Sequence, residues 1–165
     1  AGMGFEADVI DASRGIRRLR GQALYLSATL KSVSRGVRTR NITWSGRNGE
    51  DELPARTQTC SMLSFANGAR TGGGLRILPS ARPADGQMDL GIIGTISRWE
   101  ILGLLKKLLK GKHLDHPRFT ASRFTELQVE ADSPFPLHAD GEFLTNDVRK
   151  LKIRILPREL EVIVG

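Results

Sequence analysis

From Arg118 onward, apolar and polar residues alternate with a period of two. The runs are Phe119 to Phe124, Leu127 to Ala131, Leu137 to Ala139, Val148 to Ile155 and Leu160 to Val164. Strand side chains point alternately to opposite faces, so runs of this kind joined by short turns fold as antiparallel β-structure with one face in a core. Pro134, Pro136 and Pro157 are expected at turns or sheet edges, because proline cannot donate to a strand ladder.

The first half mixes periods. Residues 3–11 alternate loosely and read as a first strand. Ser13 is then a plausible N-cap for a helix carrying Ile16, Leu19, Ala23, Leu26, Leu30 and Val33 on one stripe, ending near Arg35-Gly36. Val37 to Trp44 alternates as a strand, with Ile42 and Trp44 inward. Asn48-Gly49 suits a hairpin turn, and the charged tract Glu50-Asp51-Glu52 is expected in a loop. Further strands are expected over Thr57 to Ala66 and Leu90 to Ile96. Ser97 and Glu100 form a capping box that opens a second helix with Ile101, Leu102, Leu105, Leu108 and Leu109, stopped near Gly111. The chain is thus mainly β with two helices, an α+β domain of two sheets packed face to face.

Its 165 residues suit a single domain spanning 1–165, with enough chain to bury a core. No apolar run approaches the roughly 20 residues that cross a bilayer. The lone Cys60 excludes an intrachain disulfide, reads as a small buried thiol and fits a cytoplasmic setting. A start without Met, inside a patterned segment, suggests a piece of a longer protein. The net charge of +7 favours anionic partners such as ATP or an anionic membrane surface. Aromatic residues are only 5% and do not interleave with the basic runs, so nucleic-acid binding is not expected.

Three segments have residues suited to chemistry. Asn67 to Gly74 ends in three glycines, which permit a tight turn or a close backbone approach to a ligand. It is neither a Walker A loop nor a dinucleotide fingerprint. Asp85-Gly86 is an ordinary turn pair, yet one carboxylate with converging carbonyls and water suits Mg²⁺. Asp140-Gly141-Glu142 puts two carboxylates on a turn after a strand, where one can orient a group and the other accept a proton. His113, His116 and His138 form no zinc spacing or nucleophilic triad, so surface or core roles are expected.

The order of these motifs resembles the second domain of the bacterial diacylglycerol/sphingosine kinase family. Gly2-Met3-Gly4-Phe5-Glu6-Ala7 comes first, then Asn67-Gly68 with Gly72-Gly73-Gly74, Pro79 with Asp85-Gly86 and Asp89, and finally Asp140-Gly141-Glu142. The resemblance covers the whole chain. It implies an NAD-kinase-like β-sandwich, the substrate-side half of a two-domain, ATP- and Mg²⁺-dependent lipid kinase. The family's Gly-Gly-Asp-Gly-Thr nucleotide motif is absent here, which implies an N-terminal kinase domain outside this chain and a fragment inactive alone. By resemblance, Glu142 is the proton acceptor for the lipid hydroxyl, and Asp140 orients the turn or faces the nucleotide metal. Asp85 is the side-chain ligand of a structural Mg²⁺, with the carbonyls of Arg82 and Gln87 as its other protein ligands.

The implied partners are a lipid alcohol, ATP, the missing domain and, through peripheral contact, an anionic membrane; self-association of exposed sheet edges is a further expectation. Two other functions fit the same residues. One is an NAD-kinase-like enzyme, and the other is a non-catalytic module for anionic membranes resting on the positive charge.

Overall fold

The computed structural model describes residues 1–70, 75–109 and 112–159. The expected glycine turn at Gly72–Gly74, the helix stop at Gly111 and the strand over 160–164 lie outside them. The elements are β1 (Gly2–Gly4), α1 (Phe5–Arg14), α2 (Gly21–Arg35), β2 (Arg40–Asn48), β3 (Asp51–Ala66), β4 (Met88–Gly94), α3 (Arg98–Leu109), β5 (Phe119–Phe124), β6 (Glu126–Ala139) and β7 (Glu142–Arg154). Among the described residues, no helix is long and apolar enough to cross a membrane.

All the strands join one antiparallel sheet, whose path runs β7, β6, β2, β3, β4, β5. The short β1 shares the lane of β2: β3 and β6 each pair with β2 along one stretch and with β1 further on. The sheet folds over itself, because Thr125 alone connects β5, at one edge, to the start of β6 beside β2. The Thr125 amide donates to the Arg47 carbonyl at 2.8 Å and its hydroxyl accepts from the Gly49 amide at 3.1 Å, which pins that corner. Inside the fold lie Trp44, Leu63, Leu90, Leu127 and Phe135, with Phe65 and Phe124 meeting edge to face at 6.4 Å. The expected sandwich is therefore present, its two layers being halves of one hydrogen-bonded sheet. Inward-facing Ile42 and Trp44 are both buried, as the alternation predicts.

Among the described residues, three helices, rather than two, cover one outer face. The strand expected over 3–11 is only three residues long, because Gly4 turns the chain at a φ of 79°. Beyond it Phe5, Val9 and Ala12 fall on one buried helical face, and Glu6 and Asp8 sit favourably in the first turn of α1. Ser13 is no N-cap. Its hydroxyl donates to the Ile10 carbonyl at 2.7 Å in the last turn of α1, and the next helix starts only at Gly21, where φ is 57°. With α2 and α3, these residues enclose a second core of Ala28, Val33, Ile93, Ile96, Ile101 and Leu104.

Two further expectations change. Glu50 stays in the turn, but Asp51 and Glu52 belong to β3, where Glu52 lies opposite Arg47 in register, although the ion pair of Arg47 is with Glu126 on β6 at 3.0 Å. Pro134 and Pro136 fall inside β6, where the strand's partner changes from β2, last paired at Ala131, to β1, first paired at Leu137. That gap in the ladder tolerates two missing amides. Cys60 is fully buried, and burial pushes its thiol up to about 12.

The capping box forms as expected: the Glu100 amide donates to Ser97 Oγ at 3.2 Å and the Ser97 amide to Glu100 Oε2 at 2.8 Å. These bonds hold the Glu100 carboxyl below its usual range. Ser97→Ala should destabilise the domain by about 1 kcal/mol in denaturant melts. A carboxyl depressed in the folded state stabilises above its unfolded value and loses that contribution as pH falls through the folded one. Glu100→Ala should therefore cost stability at neutral pH by a margin that shrinks in acid, in melts run from neutral pH downward.

Candidate active site

An open cleft of about 550 Å³ lies where α1, the start of α2, the end of β3 and the β6–β7 turn converge. The turn is a two-residue hairpin, since Ala139 pairs with Glu142. Both central residues are left-handed, Asp140 at a φ of 48° and Gly141 at 84°, as the primed turn that matches strand twist requires. Asp140 and Gly141 line the cleft, facing Asn67, Gly68 and Arg70 beyond the end of β3. Glu142, the first residue of β7, is exposed beside the rim and is not among the lining residues.

The floor of the cleft is polar and buried. Ser64 Oγ donates to Glu6 Oε2, and His138 Nε2 lies 3.5 Å from Glu6 Oε1. Glu6 is 5% exposed and His138 6%. Gly2 makes this approach possible, for a Cβ there would stand 2.4 Å from Glu6 Oε2 and 2.7 Å from His138 Nε2. The sequence alone pointed to a surface or core role for His138 and included Glu6 only as part of a motif. The available signal was the spacing Gly2-x-Gly4 ahead of a charged residue, in a stretch otherwise apolar enough to be core.

The Asp85 turn is elsewhere. Its segment approaches the rim at Pro83, 3.8 Å from where a Cβ on Gly68 would be, and Asp85 is not among the described residues that line the cleft. Within the turn, Asp85 Oδ1 accepts from the Gln87 amide at 3.0 Å and the Arg82 carbonyl accepts from the Asp85 amide at 3.5 Å, with Gly86 at a φ of 73°. So Arg82, Asp85 and Gln87 share one exposed bend, and the two acidic turns do not share one crevice. Asp85 keeps Oδ2 without a donor among the described residues. One exposed carboxylate with nearby carbonyls and room for water fits a hydrated magnesium ion. No cluster of three His, Cys, Asp or Glu side chains that could hold a metal occurs among the described residues. Behind the turn, buried Asp89 accepts from Ser80 Oγ at 2.8 Å and faces Arg123 Nε at 3.6 Å, which ties the loop to β4 and β5.

A smaller apolar cavity of about 60 Å³ lies beneath α3, bounded by Phe5, Met62, Ile93, Ile101, Leu104 and Phe119, and it shares Tyr25 and Ile77 with the cleft. His113 closes one side as a core residue, its Nε2 2.7 Å from the Ile77 carbonyl and its ring edge-on to Phe119.

Residues 1–164 match the family model described as the YegS C-terminal NAD kinase beta sandwich-like domain. A diacylglycerol kinase of Mycobacterium tuberculosis is 29% identical over 144 residues, which is 87% of this chain and 44% of that protein. A Pseudomonas aeruginosa protein named "Probable lipid kinase YegS-like" is 35% identical over 100 residues, 61% of this chain and 32% of that protein. The crystal structure of a diacylglycerol kinase from Bacillus anthracis superposes with a TM-score of 0.59 at 15% identity, over 94% of this chain and 48% of that one. This last likeness concerns the fold alone. The chain spans less than half the length of these two curated relatives.

Proposed function

The chain belongs to the YegS C-terminal NAD kinase beta sandwich-like domain family, and from that premise we propose that it forms the acceptor-side half of an ATP- and Mg²⁺-dependent lipid kinase. The observation that carries this reading is the junction of two cavities. A cleft with a polar floor at Glu6, Ser64 and His138 and an acidic rim at Asp140 adjoins an apolar slot under α3, and they share Tyr25 and Ile77. An amphiphile with a hydroxylated head group and an acyl tail matches that pairing; a nucleotide such as NAD does not need the slot. The slot is small, so a full tail enters it only as α3 moves outward.

In this reading a nucleotide-binding domain, supplied by the protein in which this chain occurs, covers the open side of the cleft. The exposed Glu142 carboxylate accepts the proton of the lipid hydroxyl as its oxygen attacks the γ-phosphorus of ATP. Asp140 orients the turn from the cleft side. Phosphoryl transfer depends mainly on positioning and charge neutralisation, which Mg²⁺ supplies when bound. The Asp85 turn would hold a separate, structural Mg²⁺ through the Asp85 carboxylate and the carbonyls of Arg82 and Gln87.

Docking on an anionic membrane is supported by the segment between α1 and α2, where Arg17, Arg18 and Arg20 are exposed around a half-exposed Leu19. Trp99, 75% exposed beside Arg98 on α3, adds an aromatic group suited to the interface. The test is to offer the full-length protein ATP, Mg²⁺ and either 1,2-dioctanoylglycerol or NAD. Phosphorylated lipid is expected, and phosphorylated NAD with no lipid product would replace this reading with the nucleotide-kinase one.

A further inference from the structure

We infer that Glu6, Ser64 and His138 form a hydroxyl-recognition subsite at the cleft floor, which binds an alcohol group of the acceptor's head group. This inference rests on the lipid-kinase reading for the identity of the ligand, but not for the site. Among the described residues, neither ring nitrogen of His138 has a hydrogen-bond partner, although both are buried. Nε2 faces Glu6 Oε1 at 3.5 Å, beyond the range of a good direct hydrogen bond. A buried polar group left unpaired is costly, so a side chain kept in that condition beside a cleft implies a ligand that completes it.

The missing partner has a defined chemistry. A neutral imidazole presents one N–H donor and one lone-pair acceptor, and Glu6 presents a carboxylate whose Oε2 already accepts from Ser64. An alcohol accepts one hydrogen bond and donates another, so one hydroxyl can take the imidazole N–H and return its own proton to Glu6 Oε1. A phosphate or carboxylate without a proton lacks the donor that Glu6 Oε1 requires, so it does not complete the pair. The backbone accommodates this arrangement at Gly2, where any side chain would collide with both groups. His138 is two residues before Asp140 and both line the cleft, so a hydroxyl held there lies close to the acidic turn.

The experiment uses the full-length protein and follows the ring ¹⁵N resonances of His138 during titration with 1-monooctanoylglycerol, which offers a second hydroxyl beside the one phosphorylated, and with its 2-deoxy analogue, which lacks that second hydroxyl. A shift with 1-monooctanoylglycerol and none with the analogue is expected. Equal responses to both, or no response to either, would overturn the subsite. In parallel, His138→Phe and Glu6→Gln should each raise the acceptor KM about tenfold, the loss of one hydrogen bond, while the ATP KM holds. Glu6→Gln keeps a Ser64 partner and so decides the matter if His138→Phe does not fold. An unchanged acceptor KM in a folded Glu6→Gln variant would also refute the assignment. Because the titration needs no phosphotransfer, a shifted resonance in a protein that phosphorylates no lipid would sink the kinase reading and keep the subsite.

Discussion

Glu142→Gln is expected to lower lipid phosphorylation by about 10²–10⁴-fold, the usual contribution of a positioned general base. The amide keeps the shape of the side chain and cannot take a proton. Because Glu142 is exposed at the first position of β7, the melting midpoint should hardly move. Affinity for ATP should also persist, since the nucleotide's binding surface is assigned to the other domain. Steady-state turnover, a thermal melt and an ATP titration on the same preparation separate these effects. Undiminished turnover would remove Glu142 from the reaction and turn attention to Asp140, which lines the cleft directly. Asp140→Asn is the informative companion, because asparagine tolerates the left-handed φ of 48° that the hairpin imposes there. A loss in that variant alone, with its fold intact, would move the proton-accepting role two residues along the turn.

Gly4→Ala should be the most damaging single substitution for stability, costing about 3 kcal/mol or more. Two independent penalties meet at this position. The φ of 79° is a region that residues with a Cβ rarely adopt. A Cβ there would also stand 2.4 Å from the Ser61 carbonyl oxygen and under 3 Å from the Phe135 ring, at 2.7 Å and 2.8 Å. The carbonyl is backbone in the centre of β3, so it cannot move without disturbing pairing with β1. Chemical denaturation of the purified variant measures the cost. A loss below about 1 kcal/mol would mean that the β1–α1 junction is much more pliant than its packing indicates. The same glycine fixes where the strand stops and α1 starts, so its loss should also disturb Glu6, two residues on, at the cleft floor.

Much of the fold was legible because it depends on short-range chemistry. Alternation placed Ile42 and Trp44 inward on β2, and the serine–glutamate spacing located the start of α3, since both are decided within a few residues. The failures came where a distant partner overrode a local preference. Loose alternation over residues 3–11 suggested a strand, but Phe5, Val9 and Ala12 pack as a helical face against α2 and the sheet. Pro134 and Pro136 looked like strand breakers, yet β6 runs through them because its neighbour changes at that point. Glu50 to Glu52 looked too charged for a strand, but Arg47 lies across from Glu52.

For the site, the amino-acid order alone placed Asp140-Gly141-Glu142 on a turn after a strand; the structure narrows it to a two-residue hairpin with Glu142 already in β7. The order likewise marked Asp85-Gly86 as a turn, while Arg82 and Gln87 entered only through the family resemblance. Only the tertiary structure decided that these two acidic bends face different surroundings, and that Glu6, Ser64 and His138, far apart along the chain, meet beneath one of them. The reason is physical: a turn is chosen by the torsions of neighbouring residues, whereas a buried polar cluster exists only once a folded-over sheet excludes water from side chains carried by α1, β3 and β6.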